Sequence, residues 1–372
     1  MGDLPVNAIT HEYEPYLGTV VAPAGASADA AAIEAAYQVL INYFPANPNL
    51  GPSRTASLAA IPDSQAKTDG IATGADAAAK MIALRVGDGS SPPAFYLPTS
   101  ADPGIWQMTP SCPILGGVSL GGVNFQWQFI TPFGVPSAPG DQAWIGPFLP
   151  PPPPDITTSR YAKDYDEVKR VGDADSTERP QDRADVARFY AAASPALVFN
   201  SAARQIAEAQ GRSLSHNART LAILNMASSD ALVVSFFTKY HYNYWRPETA
   251  IRRGDEDDNQ TTDPDTTFMP FIVTPCFPTY PSNHAAGSNS AAEVLRRAYG
   301  AAGFDLTIVS AATPTIIMHY SAIKQITDDV DDARVYGGIH FRFDQDAGGT
   351  MGREIATYVY KNNLRPAHGQ QD

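Results

Sequence analysis

The sequence predicts an all-α protein: helical bundles joined by long proline- and glycine-rich loops. Three observations carry that expectation. Alanine-rich segments start at capping residues and stop at Gly or Pro. One long segment, "SLSHNARTLAILNMASSDALVVSFFTKYHYNYWRPETAIRR", is apolar on several faces and free of Gly and Pro before Pro247. No stretch shows convincing period-two alternation, and no short repeat is present.

The elements follow in chain order. Ser27 before "ADAAAIEAAYQVLINYF" predicts a capped helix that Pro45 ends. Residues 45–155 are rich in Pro, Gly and Ser, with a weak helix near Ala75–Leu84. Within them, "GDGSSPPAFYLPTSADPGIWQ" and "PFLPPPPPD" read as loop or extended segments, the five-proline run as a rigid linker rather than a groove ligand. From about Asp155, "TERPQDRADVARFYAAA" and "SPALVFNSAARQIAEAQG" show helical spacing with Pro entry and Gly exit. The long apolar segment reads as a helix buried in a bundle. "GDEDDNQTTDPDT" lacks the glycine-punctuated spacing of a calcium loop and reads as solvated. The final third predicts helices over Ser282–Tyr299, near Ser321–Val335, and from about Tyr336 to Asn362. Two regions are expected, a loop-rich helical region 1–154 packed on a helical core 155–372, together one continuous unit.

With 372 residues, 44% apolar and 17% charged, the chain can bury a sizeable core. A net charge of −13 disfavours nucleic acid and anionic membranes as partners. Any site for an anion must gather its positive charge locally. Cys112 and Cys276, the two cysteines, read as two buried thiols rather than a bridge, and their spacing supports no zinc site. No apolar run of about 18 residues predicts a membrane span. "MGDLPVNAITHEYEPY" lacks the basic and apolar regions of a signal peptide and starts inside what reads as structure.

Three segments carry chemistry. Lys239 and Arg246 stand seven apart, two helical turns, and so share a face. Ser282 caps a helix whose first N–H groups and dipole favour an anion, with His284 in the first turn able to exchange a proton. In Arg334-"VYGGI"-His340-"FRF"-Asp344, the glycines loosen the backbone. Asp344, four residues past His340, orients one ring nitrogen and leaves the other to bind a metal or attack phosphorus. Each segment alone has a plain structural explanation: surface cations, an ordinary cap, a helix-surface pair. Together they supply what a tetrahedral oxyanion needs.

These blocks match, in order and spacing, the pattern of the vanadium-dependent haloperoxidase and type 2 phosphatidic acid phosphatase superfamily: Lys, six residues, Arg-Pro; Pro-Ser-Gly-His; Arg, five residues, His, three residues, Asp. Lys239–Pro247, Pro281–His284 and Arg334–Asp344 carry the resemblance. The flanking "NARTLAILNMASSDA", "KYHYNYWRPETAIR", "YGGIHFRFDQDAG", "PVNAITHEYEPY" and "PGIWQ" resemble the bacterial haloperoxidase-like branch. Phe343 stands where the phosphatases usually carry serine. Phe277 resembles the halide-pocket aromatic of chloroperoxidases, and Phe236 stands where they have Trp. Asn283 replaces the family's glycine, whose N–H binds the oxyanion.

The resemblance implies vanadate as cofactor, with phosphate able to take the same place. His340 would be the axial ligand of vanadium; Lys239, Arg246, Arg334, Ser282 and Asn283 would hold the equatorial oxygens. Lys239, His284, His340 and Asp344 would carry catalysis, and Phe277 and Phe236 would line the halide pocket. Hydrogen peroxide, halide and a small organic acceptor are the implied partners, and a homo-oligomer is compatible. Family members are often secreted or periplasmic, whereas this sequence leaves localisation open. Two alternatives stand beside a haloperoxidase: a phosphomonoesterase working through phosphohistidine at His340, and an anion-binding protein without turnover.

Overall fold

A computed structural model describes residues 3–367. The chain runs α1 (Asp3–Thr10), α2 (Ala28–Tyr43), α3 (Leu50–Ala59), α4 (Gln65–Leu84), the small hairpin β1 (Ile114–Leu115) and β2 (Val118–Ser119), then α5 (Ser159–Val171), α6 (Gln181–Ala192), α7 (Pro195–Gln210), α8 (Leu214–Tyr242), α9 (Pro247–Arg252), α10 (Asn283–Tyr299), β3 (Ala302–Val309), β4 (Ile317–Ala322), α11 (Ile323–Val335) and α12 (Arg342–Asn362). The fold is all-α, as the sequence predicts, and among the described residues strands are confined to two hairpins.

Helix α8 organises the core. Ser213 caps it by accepting from His216 N, and Asn243 ends it in the left-handed conformation. Its residues Ile223, Leu224, Ala227, Ala231, Val233 and Val234 are all buried, in one cluster with side chains of α6, α7, α10, α11 and α12. By length and composition α8 could cross a membrane, contrary to the expectation that no such run exists, but most of it lies inside the protein. It carries the buried Arg219, Asp230 and Lys239. Helices α10 and α12 lie close together because Gly352 offers no side chain: a Cβ there would come 2.2 Å from the Ala286 carbonyl oxygen.

Asp230 ties the loop region to this core. Its carboxylate accepts from Phe133 N and Gly134 N, each at 2.7 Å. Asp230→Ala should therefore destabilise the fold by roughly 3 kcal/mol, the cost of stranding two buried backbone donors. Denaturant unfolding measures this, and a loss under about 0.5 kcal/mol would show that water or other groups take over. The proline run is strapped down rather than free. The hydroxyls of Tyr242, Tyr280 and Tyr244 donate to the carbonyls of Pro150, Pro151 and Pro154 at 3.0, 2.6 and 2.9 Å.

Several expectations need correction. Helix α4 begins at Gln65, capped by Ser64, ten residues before the expected weak helix, and α3 was not foreseen. Strands β3 and β4 pair antiparallel with Leu306 opposite Tyr320 and Ile308 opposite Met318. Leu306 and Ile308 are buried and Thr307 and Val309 exposed, an alternation too short to stand out between helices. Cys112 and Cys276 form a disulfide, not two thiols. Folding brings their segments together, with Val123 N donating to the Cys276 carbonyl at 2.9 Å. The acidic loop is not simply solvated: Asp257 is buried and accepts from the Thr262 hydroxyl at 2.8 Å.

Candidate active site

The C-terminus of α8, the N-termini of α10 and α12, and the C-terminus of α11 meet in one place. Lys239 and Arg246 do not share a helix face, as their spacing suggested. Helix α8 stops at Tyr242, and Arg246 lies beyond the break as the N-cap residue of α9. The segment 277–279 draws the two together. Lys239 Nζ donates to the carbonyls of Pro278 and Thr279 at 2.9 and 2.7 Å. Arg246 Nε donates to the Phe277 carbonyl at 2.8 Å, and Nη1 to the Ile339 carbonyl at 2.9 Å.

His340 also lies outside a helix. Gly338, with φ at +79°, turns the chain after α11, and α12 starts only at Arg342. Asp344, in the first turn of α12, reaches back. Its Oδ2 lies 2.8 Å from His340 Nδ1 and accepts from Phe341 N at 3.0 Å. Arg246 Nη1 lies 3.0 Å from His340 Nε2. An arginine only donates, so Nε2 is the acceptor and the proton sits on Nδ1, facing Asp344. Below this corner, Phe341 and Phe343 stack at 4.9 Å within an aromatic cluster that includes Tyr161, Tyr244 and Trp245.

Helix α10 brings the Ser282 cap, whose hydroxyl accepts from Ala285 N at 3.3 Å and whose N–H donates to the Asp344 carbonyl at 3.0 Å. The Asn283 side chain accepts from the Ser235 hydroxyl at 2.5 Å, which ties it to α8. Arg334 Nη1 donates to the Tyr190 carbonyl at 3.1 Å. Phe236 and Phe277 meet edge to face at 5.5 Å, and Phe277 also lies 5.1 Å from Lys239 Nζ and 4.9 Å from Arg246 Cζ.

Lys239, Arg246, Arg334, His340, Ser282 and Asp344 are all buried. Burial first, then Arg246, holds Lys239 well below the usual lysine range. Burial lowers Arg246 to about 9 and Arg334 to about 10. Burial, helped by all three cations, holds His340 and the half-buried His284 well below the ordinary histidine value. Burial raises Asp344, while the Thr279 hydroxyl and the cations favour its charged form. Among described carboxylates none forms an ion pair with Lys239, Arg246 or Arg334. Two guanidinium nitrogens, Arg246 Nη2 and Arg334 Nε, are buried without a hydrogen-bond partner. Such donors normally find acceptors.

Concentrated positive charge, two partnerless donors and a helix start thus meet at one buried corner. The carboxylate-backed imidazole of His340 keeps its unprotonated Nε2 against Arg246 Nη1. Thr279, Ser235 and the carbonyls that hold the cations escaped the sequence reading. Thr279 sits in "PTYPSNH", but nothing in one sequence marks a hydroxyl that bonds across the fold.

Residues 219–369 match the profile of the VCPO second helical-bundle domain. No curated protein matches the chain. Among solved structures, a bacterial vanadium-dependent iodoperoxidase superposes with a TM-score of 0.77 at 22% identity, over 98% of this chain and 88% of the other. The holo form of a bacterial vanadium-dependent chloroperoxidase gives 0.73 at 16% identity, over 97% and 88%. The apo form of a bacterial vanadium-dependent chloroperoxidase gives 0.72 at 15% identity, over 97% and 90%. At these identities the likeness is one of fold. The shared fold is that of the bacterial vanadium haloperoxidases, and the domain match covers the helices that carry the site.

Proposed function

We propose that the protein is a vanadium-dependent haloperoxidase whose cofactor is vanadate, with this corner as its cage. The observation that supports this most is the pair of partnerless nitrogens, Arg246 Nη2 and Arg334 Nε, at a site where His340 Nε2 accepts and cannot donate. His340 would hold the metal, and Lys239, Arg246, Arg334, Ser282 and the Asn283 N–H would hold its oxygens. Bound vanadate supplies a Lewis acid that activates hydrogen peroxide towards halide.

The chain's own residues do the rest. Asp344 fixes the Nδ1–H form of His340 and raises the basicity of Nε2. Lys239, anchored by two carbonyls, would stabilise charge on the bound oxygens. His284, in the first turn of α10, would take a proton from an incoming acid and return it to the departing group. The edge-to-face pair of Phe236 and Phe277 supplies an apolar wall that strips water from a halide beside Lys239.

The same cage would serve phosphomonoester hydrolysis, with His340 Nε2 as nucleophile and His284 protonating the leaving group. One assay pair separates these readings. The expected result is bromination or iodination of a dye that requires vanadate, peroxide and halide together and is competed by phosphate. Metal-free phosphate release without halide oxidation would make the phosphatase correct. Tight vanadate binding with neither reaction would leave a binding protein.

A further inference from the structure

We propose that Thr279 is a positioning residue of the oxyanion cage: its hydroxyl fixes the carboxylate that orients His340, and its carbonyl holds Lys239. This rests on the anion-binding reading above and deepens it. Thr279 is fully buried. Its N–H donates to the Tyr244 carbonyl at 3.0 Å, and its carbonyl accepts from Lys239 Nζ at 2.7 Å. Both backbone groups are thus committed, and the β-branched side chain has little freedom at χ1.

The hydroxyl donates to Asp344 Oδ2 at 2.6 Å and lies 3.0 Å from His340 Nδ1. The proton assignment is forced. Nδ1 carries its own hydrogen, because Nε2 accepts from Arg246. The threonine hydrogen must therefore point to the carboxylate. Oδ2 collects donors from Thr279, His340 and Phe341, whereas the buried Oδ1 has none. Of these three donors, the Phe341 N–H belongs to Asp344's own helix start, and the His340 ring is the group to be oriented. Thr279 is the donor from a separate, anchored segment. Without it, the carboxylate is free to turn about χ2 and loosen its hold on the imidazole. One residue thereby sets the imidazole and the ammonium in fixed relation.

Thr279→Val keeps the shape and removes the hydroxyl; Thr279→Ser keeps the hydroxyl. Both are compared with the parent full-length chain by titration calorimetry with orthovanadate and with inorganic phosphate. Nitrogen-15 spectra of the imidazoles, with the His340 signal identified by its loss in His340→Ala, report the tautomer. The valine variant should bind both anions about 10- to 100-fold more weakly, the range for losing an outer partner of a ligating histidine. Its His340 signal should shift from a single Nδ1–H form to a mixture. The serine variant should keep the parent affinity and tautomer. Unchanged affinity and tautomer in the valine variant would overturn the proposal. So would a serine variant as impaired as valine, since shape rather than the hydroxyl would then be at work. If the valine variant does not fold, Thr279→Ala removes the hydroxyl without adding bulk and is read in the same two ways. A parent protein that binds neither anion would overturn the anion-binding reading, while the His340 tautomer would still decide the role of Thr279.

Discussion

His340→Ala is expected to lower halide oxidation by at least about 10³-fold, because it removes the group around which the other residues are arranged. Steady-state dye halogenation with saturating vanadate and peroxide measures it. The fold should survive, since His340 packs at the end of a turn held independently by the aromatic cluster around Phe341 and Phe343. The same substitution would abolish phosphomonoester hydrolysis if that were the reaction. Retention of either activity above a tenth of the parent value would remove His340 from both mechanisms and move the chemistry elsewhere.

Lys239→Met should separate stability from binding. Three cations are packed here without described carboxylate partners, and burial with Arg246 holds Lys239 well below its ordinary range. Replacing a buried charge by an apolar side chain of similar length often stabilises, by about 1–4 kcal/mol. The loss of a donor to two carbonyls offsets part of that, so a gain of about 1 kcal/mol in anion-free buffer is expected. Vanadate affinity should fall about 100-fold, the lower range for truncating a buried charge that meets an opposite one. Parent protein should also bind anions less well as pH rises. A bound anion strengthens the hold of Lys239 on its proton, so anion binding is linked to protonation of Lys239 and weakens as pH rises. Guanidinium unfolding and titration calorimetry at several pH values test these points. A variant that is less stable yet binds normally would mean that Lys239 only props up the carbonyls of Pro278 and Thr279.

Much of the fold was legible. Ser27 and Ser282 mark true helix starts, and the Gly- and Pro-free stretch before Pro247 does hold the buried core helix. What failed did so for identifiable reasons. A six-residue strand such as β4, lying against one partner, gives too brief an alternation to compete with helical flanks. The pairing of Cys112 with Cys276 spans 164 residues and depends on tertiary closure, which local pattern does not encode. For the site, the residue types and their order in the sequence carried the reading, while the local geometry inferred for them did not. Lys239 and Arg246 meet across a helix break, and His340 and Asp344 meet across a helix start. Equal sequence spacing suits both a continuous helix and a helix end that folds back. Only the backbone distinguishes the two. Thr279 and Ser235 could not have been singled out, because their importance lies in partners 65 and 48 residues away.

Oxygen atoms of the main chain, not acidic side chains, anchor Lys239 and Arg246. A peptide carbonyl is a dipole without net charge, so it steadies a cation without cancelling it. The pocket should therefore rank guests by valence before size, preferring multiply charged tetrahedra to singly charged ones of the same radius, inside a protein whose overall charge is −13.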